Sequence, residues 1–204
     1  MPEPMDDLFF PRGGVVCGVD EVGRAPLAGP VLAGAVILPD GHGIEGLTDS
    51  KLLPAPKREA IHAAIMAAGI PVGIGMASVE EIDRLNILQA SLLAMARAVA
   101  ALPVRPAGAL IDGNQPPRLD IPVRCIVGGD LSEPAISAAS IVAKVTRDRL
   151  MRELAVECPG YGWERNVGYP TEEHRAAIIR LGPTVHHRRR FGTVRILLES
   201  RTSA

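Results

Sequence analysis

The chain has 204 residues, of which 47% are hydrophobic and 22% charged, as in a soluble globular protein of one domain. The longest apolar run, at residues 31–38, is too short to cross a bilayer, which excludes a membrane-spanning protein. Three widely separated cysteines exclude a disulfide scaffold and have no metal-binding spacing. The acidic start lacks the basic region of a signal peptide, so we expect a cytoplasmic protein.

The net charge of −1 conceals an uneven distribution along the chain. Residues 141–204 contain 12 Lys and Arg against 7 Asp and Glu, whereas residues 1–140 contain 10 against 16. A basic C-terminal third suits an anionic partner such as nucleic acid. The same distribution is equally compatible with an uneven surface charge that binds no partner. Charge alone therefore does not establish that the protein binds nucleic acid.

Hydrophobic periodicity and turn residues predict alternating strands and helices after a flexible leader at residues 1–14. The predicted strands cover residues 15–19, 31–38, 70–77, a segment ending at 112, and 122–127. The predicted helices cover residues 57–68, 79–85, 86–101, 133–157 and 171–181. Residues 158–170 are predicted to be a loop, and the chain from residue 182 a basic tail. This order indicates an α/β fold with a mixed central sheet flanked by helices.

Acidic residues recur where the predicted strands end. Asp20 and Glu21 follow the first strand, Asp112 ends another, and Asp130 follows the last strand and two glycines. Because open α/β sheets form their sites at the carboxyl ends of strands, we expect these acids to lie together. Neighbouring strand residues point to opposite faces, so Asp20 and Glu21 share a site only if the strand ends there or one contributes its backbone carbonyl.

The four acids have no histidine or cysteine beside them, and an all-oxygen ligand set suits a hard cation such as Mg²⁺ or Mn²⁺. Clustered carboxylates raise one another's pKa unless a cation neutralises them. The alternative is that each acid is a helix cap or a turn residue, and for any one acid alone that alternative is the better one. The four together favour a metal site but do not specify a reaction.

Longer motifs connect these acids with a known family. The segments, in chain order, are GVDEVGRAPLAGPV at 18–31, LTDSK at 47–51, DRLNIL at 83–88, IDG at 111–113, AASIVAKVTRD at 138–148, GYPT at 168–171 and HRR at 187–189. In this order and spacing, over residues 15–195, they resemble the ribonuclease HII (type 2 ribonuclease H) family.

The resemblance implies a ribonuclease H-like catalytic domain at residues 15–157, with a small helical C-terminal extension at residues 158–204 packed on it. It implies an endonuclease that hydrolyses the RNA strand of RNA–DNA hybrids and cuts 5′ of single ribonucleotides in duplex DNA, leaving 3′-hydroxyl and 5′-phosphate ends. Two Mn²⁺ or Mg²⁺ ions would flank the scissile phosphate. The expected partners are RNA–DNA hybrid and ribonucleotide-containing duplex DNA, bound by a monomer with no membrane contact.

The same resemblance assigns individual residues. Asp20, Glu21, Asp112 and Asp130 would be the catalytic and metal-binding acids. The substrate-binding residues would be Gly23, Arg24, Ala25, Lys51, Tyr169, Arg188 and Arg189. In that set, the backbone of residues 23–25 would read the ribose 2′-hydroxyl and Tyr169 would stack on a neighbouring sugar, while the arginines would face nucleic acid. Without the resemblance, loop packing is the simpler interpretation of Tyr169, and a solvated tail explains the arginines equally well.

The chain departs from the family pattern beside these motifs. Ala25 replaces the glycine at the third position of the family's Gly-Arg-Gly motif. Gly128 and Val167 occupy positions at which the family usually has lysine. Pro26 restricts Ala25 to extended backbone with a negative φ, so we predict that the alanine leaves the 23–25 backbone able to read the ribose. The two missing lysines remove potential phosphate contacts.

Two other classes of function remain open from the sequence. One is a catalytically weak protein that binds RNA–DNA hybrids, and the other is a nuclease of the same fold that acts on DNA. Cleavage of a duplex with a single ribonucleotide, compared with an all-DNA duplex, would distinguish them. Lys144 and Trp163 are interpreted as packing residues rather than substrate contacts.

Overall fold

One mixed sheet of five strands forms the centre of the protein in a computed structural model, which describes residue 10 and residues 13–202. The strands are β1 (Val16–Val22), β2 (Val31–Val36), β3 (Val72–Ala77), β4 (Gly108–Asp112) and β5 (Val123–Ile126). Their order is β3–β2–β1–β4–β5, with β1 antiparallel to β2 and parallel to β4. The predicted α/β fold with a mixed sheet is confirmed, whereas most of the predicted leader lies outside the described residues.

Helices cover both faces of this sheet. The helices of the described chain are α1 (Ala55–Ala67), α2 (Val79–Leu85), α3 (Ile87–Ala100), α4 (Gly129–Ser132), α5 (Pro134–Glu157), α6 (Trp163–Asn166), α7 (Glu172–Leu181) and α8 (Gly192–Thr202), with a 3₁₀ helix at Ser50–Leu52. No helix in the part of the chain that the structure describes is long and apolar enough to cross a membrane.

Polar caps explain where several helices begin. The Ser78 hydroxyl accepts a hydrogen bond from the Glu81 N–H, and the Glu81 carboxylate accepts one from the Ser78 N–H, which forms a capping box at α2. Asn86 accepts from the Gln89 N–H at the start of α3. These local bonds satisfy N–H groups that the helix itself leaves free, so the predicted starts of α2 and α3 agree with the structure to within a residue.

The sheet lies between two hydrophobic cores. On one face, Val19 and Ile111 pack with Met95 and other residues of α3. On the other face, Val36 packs with Ile65 of α1 and with the apolar residues of α5. Glycines let the helices approach the strands closely: a Cβ added at Gly75 would lie 2.0 Å from the Ala94 carbonyl oxygen.

The C-terminal segment contains more helix than the sequence predicts. The predicted loop at 158–170 includes α6, and the predicted tail includes α8. The buried side chains of Trp163, Ile178 and Val194 pack with Leu27 and Met151 into one apolar cluster. These helices are short and take their stability from packing against the rest of the molecule, which local sequence patterns do not reveal. The division into a catalytic domain and an extension stays a prediction.

Candidate active site

The first strand extends beyond its apolar residues and includes the acidic pair Asp20 and Glu21. β1 continues through Asp20 and Glu21 to Val22, paired with β2, so the prediction that the strand ends at residue 19 is wrong. The two side chains therefore point to opposite faces. Asp20 is buried on the α5 face, near Ser140, whereas Glu21 also borders a cavity formed with α3. Both nevertheless line one cleft at the end of the strand.

Strand pairing brings two further acids to the same edge. In the parallel pair of β1 and β4, Val19 lies opposite Ile111, which places Asp112 beside Asp20. After β5 the chain turns into α4, where the backbone N–H of Asp130 donates to the Asp112 carboxylate over 3.3 Å. The predicted convergence of acids at the carboxyl ends of strands follows from this register.

A cleft of about 210 Å³ opens over the acids. Its lining combines Asp20, Glu21 and Asp112 with Val22, Gly23, Arg24, Ala25, Ser50, Lys51, Ser140, Lys144 and Tyr169. Of the residues assigned to the substrate, residues 23–25, Lys51 and Tyr169 all face this space. Asp130 lies beside it, and its carboxylate is 3.6 Å from the Lys51 ammonium group.

Burial and neighbouring charges shift the pKa values of the groups around the cleft. Burial first, then the nearby Glu21 and Asp112 carboxylates, raise the pKa of Asp20 well above its usual range, against a lowering hydrogen bond from Ser140. Burial, followed by Asp112 and Asp49, likewise raises the pKa of Asp130. Burial alone would lower the pKa of Lys51, but the surrounding acids outweigh it and raise that pKa. The carboxylates thus repel one another, although Arg24, Lys51 and Lys144 line the same cleft.

The donor set fits a divalent cation by its chemistry. All four side chains offer carboxylate oxygens, and their mutual repulsion is the kind that a hard cation relieves. Within the described residues, no three acidic, histidine or cysteine side chains already converge as a finished metal site.

The loop that follows β1, residues 23–30, needs glycine at its first position. Gly23 has a φ of 93°, and a Cβ there would lie 2.2 Å from the Arg147 Nε. Ala25 is exposed and does not have a positive φ, as its neighbour Pro26 predicts. Gly128, by contrast, has a φ of 69°, a left-handed conformation that suits glycine better than the usual lysine.

Arg188 does not belong to a nucleic-acid-facing patch, and that prediction is wrong. Its side chain is fully buried and donates to the carbonyl oxygens of Gly23 (2.6 Å), Arg24 (3.0 Å) and Gly29 (2.9 Å). The physical reason is that an irregular buried loop leaves carbonyls unpaired, and a guanidinium offers five donors to satisfy them. Its neighbour Arg189 is exposed, as predicted, but does not line the cleft.

Tyr169 is held at the cleft through its backbone. Its N–H donates to the Asn166 carbonyl over 2.8 Å, and its own carbonyl is 2.9 Å from the Nδ1 of His174. The ring lies beneath the ammonium group of Lys144, 5.7 Å from the ring centroid. Lys144 also pairs with Asp148 at 2.7 Å. Lys144, interpreted from the sequence as a packing residue, therefore also lines the cleft, and its position one helical turn after Ser140 is the sequence signal for this.

Comparison with known proteins assigns this chain to a family. A family model described as Ribonuclease HII matches residues 17–194, a range that includes all four acids and the loop after β1. The chain belongs to the ribonuclease HII family. Among curated relatives, the Ribonuclease HII of Granulibacter bethesdensis is 56% identical over 209 residues, covering 100% of this chain and 95% of the relative. As a family member, the chain is a ribonuclease H, a hydrolase of the endoribonuclease type.

Solved structures agree with this assignment. The ribonuclease H2 of Pyrococcus horikoshii OT3 has a TM-score of 0.75 and 26% identity, covering 93% of this chain and 99% of that one. Bst-RNase HIII in complex with Mn²⁺ shares the fold, with a TM-score of 0.70, 19% identity, and coverage of 93% of this chain and 71% of that one. The ribonuclease H-like fold expected from the sequence is confirmed, and the two alternative classes of function give way to a ribonuclease.

Proposed function

We propose that this ribonuclease HII family member hydrolyses the RNA strand of RNA–DNA hybrids and cuts 5′ of a single ribonucleotide in duplex DNA, leaving 3′-hydroxyl and 5′-phosphate ends. The observation that supports this is one shared cleft, in which Asp20 and Asp112 face the same space as the 23–25 backbone and Tyr169. A phosphate held at the acids brings the adjoining ribose to the loop. Recognition of the ribose 2′-hydroxyl and cleavage of the neighbouring phosphodiester therefore occur in the same bound position.

Asp20, Glu21, Asp112 and Asp130 are the residues that we propose hold two divalent cations, Mg²⁺ or Mn²⁺. Mn²⁺ is bound by Bst-RNase HIII, a protein of the same fold. When bound, the cations would activate a water molecule and stabilise the leaving 3′-oxygen. The chain's own part is to hold the oxygen donors close together in a half-buried cleft, at the cost of the raised carboxyl pKa values.

Positive side chains around the acids are the candidates for holding the phosphate backbone. Lys51 is well exposed and stands 3.6 Å from both Asp49 and Asp130, so it can meet a phosphate that binds beside the acids. Arg24 lines the cleft and pairs with Glu21 at 3.3 Å. Arg189 is a candidate contact outside the cleft. We further propose that the protein works as a monomer in the cytoplasm, on nucleic acid and away from membranes.

Three duplexes of one sequence test the proposal: all DNA, DNA with one ribonucleotide, and a full RNA–DNA hybrid. With Mg²⁺ or Mn²⁺ present, we expect the hybrid to be cut and the second duplex to be cut only 5′ of its ribonucleotide. Without the cation, none should be cut. Cleavage of the all-DNA duplex at a similar rate, or an intact single-ribonucleotide duplex, would contradict the proposed substrate.

A single substitution tests the assignment of the acids. Asp112→Asn keeps the shape of the side chain but removes a ligand charge, so we expect kcat to fall at least about a hundredfold while hybrid binding is kept. Asp120→Asn is the matched control, because Asp120 is exposed and lies outside the cleft. If Asp112→Asn cleaves as fast as the control, Asp112 is not part of the catalytic site.

A further inference from the structure

Two buried arginines stand behind the loop at residues 23–30, which we call the recognition loop. Arg147 of α5 and Arg188 of the C-terminal segment are both fully buried. Neither forms an ion pair with an acid in the part of the chain that the structure describes; every hydrogen bond of their guanidinium groups goes to a backbone carbonyl oxygen. Burying a guanidinium is costly, so the carbonyls that it binds must matter to the fold or to the site.

Both arginines bind the Pro30 carbonyl at the end of the recognition loop, but they differ at its start. Arg188 reaches its first peptide groups, with Nη2 2.6 Å from the Gly23 carbonyl oxygen and Nη1 3.0 Å from that of Arg24. Arg147 reaches only later carbonyls, those of Ala28 and Pro30, and the carbonyl of Val167. Only Arg188 therefore hydrogen-bonds to the two peptide groups that line the cleft, although the Arg147 side chain packs against Gly23.

The orientation of these two peptide groups follows from the contact. In a planar trans peptide the C=O and N–H bonds point in opposite directions, and no peptide bond of the described chain is cis. The Gly23 carbonyl shares its peptide group with the Arg24 N–H, and the Arg24 carbonyl shares its group with the Ala25 N–H. Because both carbonyls turn inward to Arg188, both N–H groups turn outward. No described residue accepts a hydrogen bond from either of them.

We propose that Arg188 is a positioning residue for ribonucleotide selection. It orients the Arg24 and Ala25 N–H groups toward the cleft as a pair of donors for the ribose 2′-hydroxyl, which acts as the acceptor. Its charge also polarises the two peptide groups through their carbonyl oxygens, which makes the N–H groups stronger donors. This inference rests on the proposed function, because it specifies how the recognition loop recognises the sugar of that substrate.

Binding discrimination is the quantity that tests this role. In a non-cleaving Asp112→Asn parent, the ratio of Kd for all-DNA duplex to Kd for single-ribonucleotide duplex measures recognition of the 2′-hydroxyl alone. Arg188→Lys keeps a charge but loses the planar fork that spans two carbonyls. We expect that ratio to fall about tenfold, through weaker binding of the ribonucleotide duplex, while Kd for the all-DNA duplex stays unchanged.

Arg147→Lys is the matched control, because it removes an equally buried guanidinium whose hydrogen bonds go to carbonyls outside the 23–25 backbone, while it keeps the aliphatic stem that packs against Gly23. We expect it to lower the melting temperature while changing the Kd ratio less than about threefold. Equal loss of the ratio in both variants, or an unchanged ratio in Arg188→Lys, would overturn the positioning role. A parent that binds both duplexes equally would instead refute the proposed function.

A second measurement needs no change at Arg188 and can overturn the proposal even if Arg188→Lys fails to fold. In the ¹⁵N-labelled Asp112→Asn parent, the amide proton resonances of Arg24 and Ala25 should move downfield with the single-ribonucleotide duplex relative to the all-DNA duplex. These are the shifts that new hydrogen bonds to the 2′-hydroxyl would cause. Identical shifts with both duplexes would overturn the proposal.

Discussion

Ala25 is the residue at which this chain departs from its family within the recognition loop. Its methyl group is exposed and its φ is not positive, so the loop does not require glycine there. We expect Ala25→Gly to change kcat/KM on the single-ribonucleotide duplex less than about threefold, while lowering stability by roughly 0.5–1 kcal/mol through greater freedom of the unfolded chain. Steady-state cleavage and urea unfolding measure the two effects. A large gain on this duplex, with hybrid cleavage unchanged, would show that the methyl obstructs the ribose.

Arg189 and Arg190 are the arginines of the basic run that remain exposed. Their backbone N–H groups donate to the Asp83 carboxylate, which leaves both guanidinium groups free to reach outward. We expect the double Ala variant to weaken hybrid and plain duplex equally, because phosphate contacts carry no information about the sugar. The slope of log affinity against log salt should flatten by about 0.9 per lost contact.

Arg105 and Arg118 provide the control for that prediction, since both are exposed and neither lines the cleft. Replacing them with Ala removes the same net charge from the molecule. A salt slope that changes equally in both double variants would mean that the effect comes from overall charge and not from a contact at Arg189 and Arg190.

At the scale of secondary-structure elements, glycines set the distance between strands and helices. Gly73 and Gly75 of β3 lie against the backbone of α3, and Gly18 and Gly34 lie against that of α5. A Cβ at any of the four would come within 2.5 Å of helix backbone atoms. Backbone cannot move aside as a side-chain tip can, so these positions exclude every larger residue.

Gly75→Ala tests this spacing. The added methyl would lie 2.0 Å from the Ala94 carbonyl oxygen and force α3 away from the sheet. We expect a loss of more than about 2 kcal/mol in the free energy of unfolding, measured with urea. Gly192→Ala, at the start of α8, has open space around the added methyl and should be neutral or slightly stabilising. Similar losses in both variants would rule out close packing as the cause.

At the scale of the whole molecule, a buried aromatic and histidine cluster joins the C-terminal helices to the cleft. The Trp163 indole N–H donates to the Nε2 of His174, which lies 3.2 Å from the Nε2 of His187. The Nδ1 of His187 accepts from the Thr184 N–H. Burial, followed by the neighbouring histidines, lowers the pKa of His187 to about 3.

This lowered pKa predicts how stability depends on pH. In the unfolded chain His187 takes up a proton below about pH 6.5, whereas in the folded protein it stays neutral until about pH 3. Between these two pH values the unfolded state thus binds more protons than the folded state. The free energy of unfolding therefore decreases by about 1.4 kcal/mol for each unit by which the pH is lowered. Between pH 6.5 and about pH 4 the wild type should lose roughly 3 kcal/mol more than His187→Asn, measured by urea unfolding. Equal losses would show that His187 is not the responsible group.

Much of the molecule could be predicted from the sequence because the signals are local or belong to motifs. The caps at Ser78 and Asn86 are formed by residues within one helical turn, so helix starts are visible in a few letters. The acids could be placed at strand ends because apolar runs precede them. Motif resemblance then supplied the family, which the geometry of the cleft alone would not have named.

What only the tertiary structure decided depends on contacts between residues far apart in the chain. Glu21 and Asp20 point to opposite faces because β1 pairs with β2 beyond its apolar run, and strand length is set by the partner. In the sequence, Arg188 is one of three consecutive arginines and cannot be told apart from its neighbours. It is buried because its guanidinium binds carbonyl oxygens of a loop more than 150 residues earlier in the chain. Charge patterns show which residues can bind an anion. Whether an arginine binds a phosphate or the protein's own backbone is decided by which unpaired acceptors the fold brings within its reach.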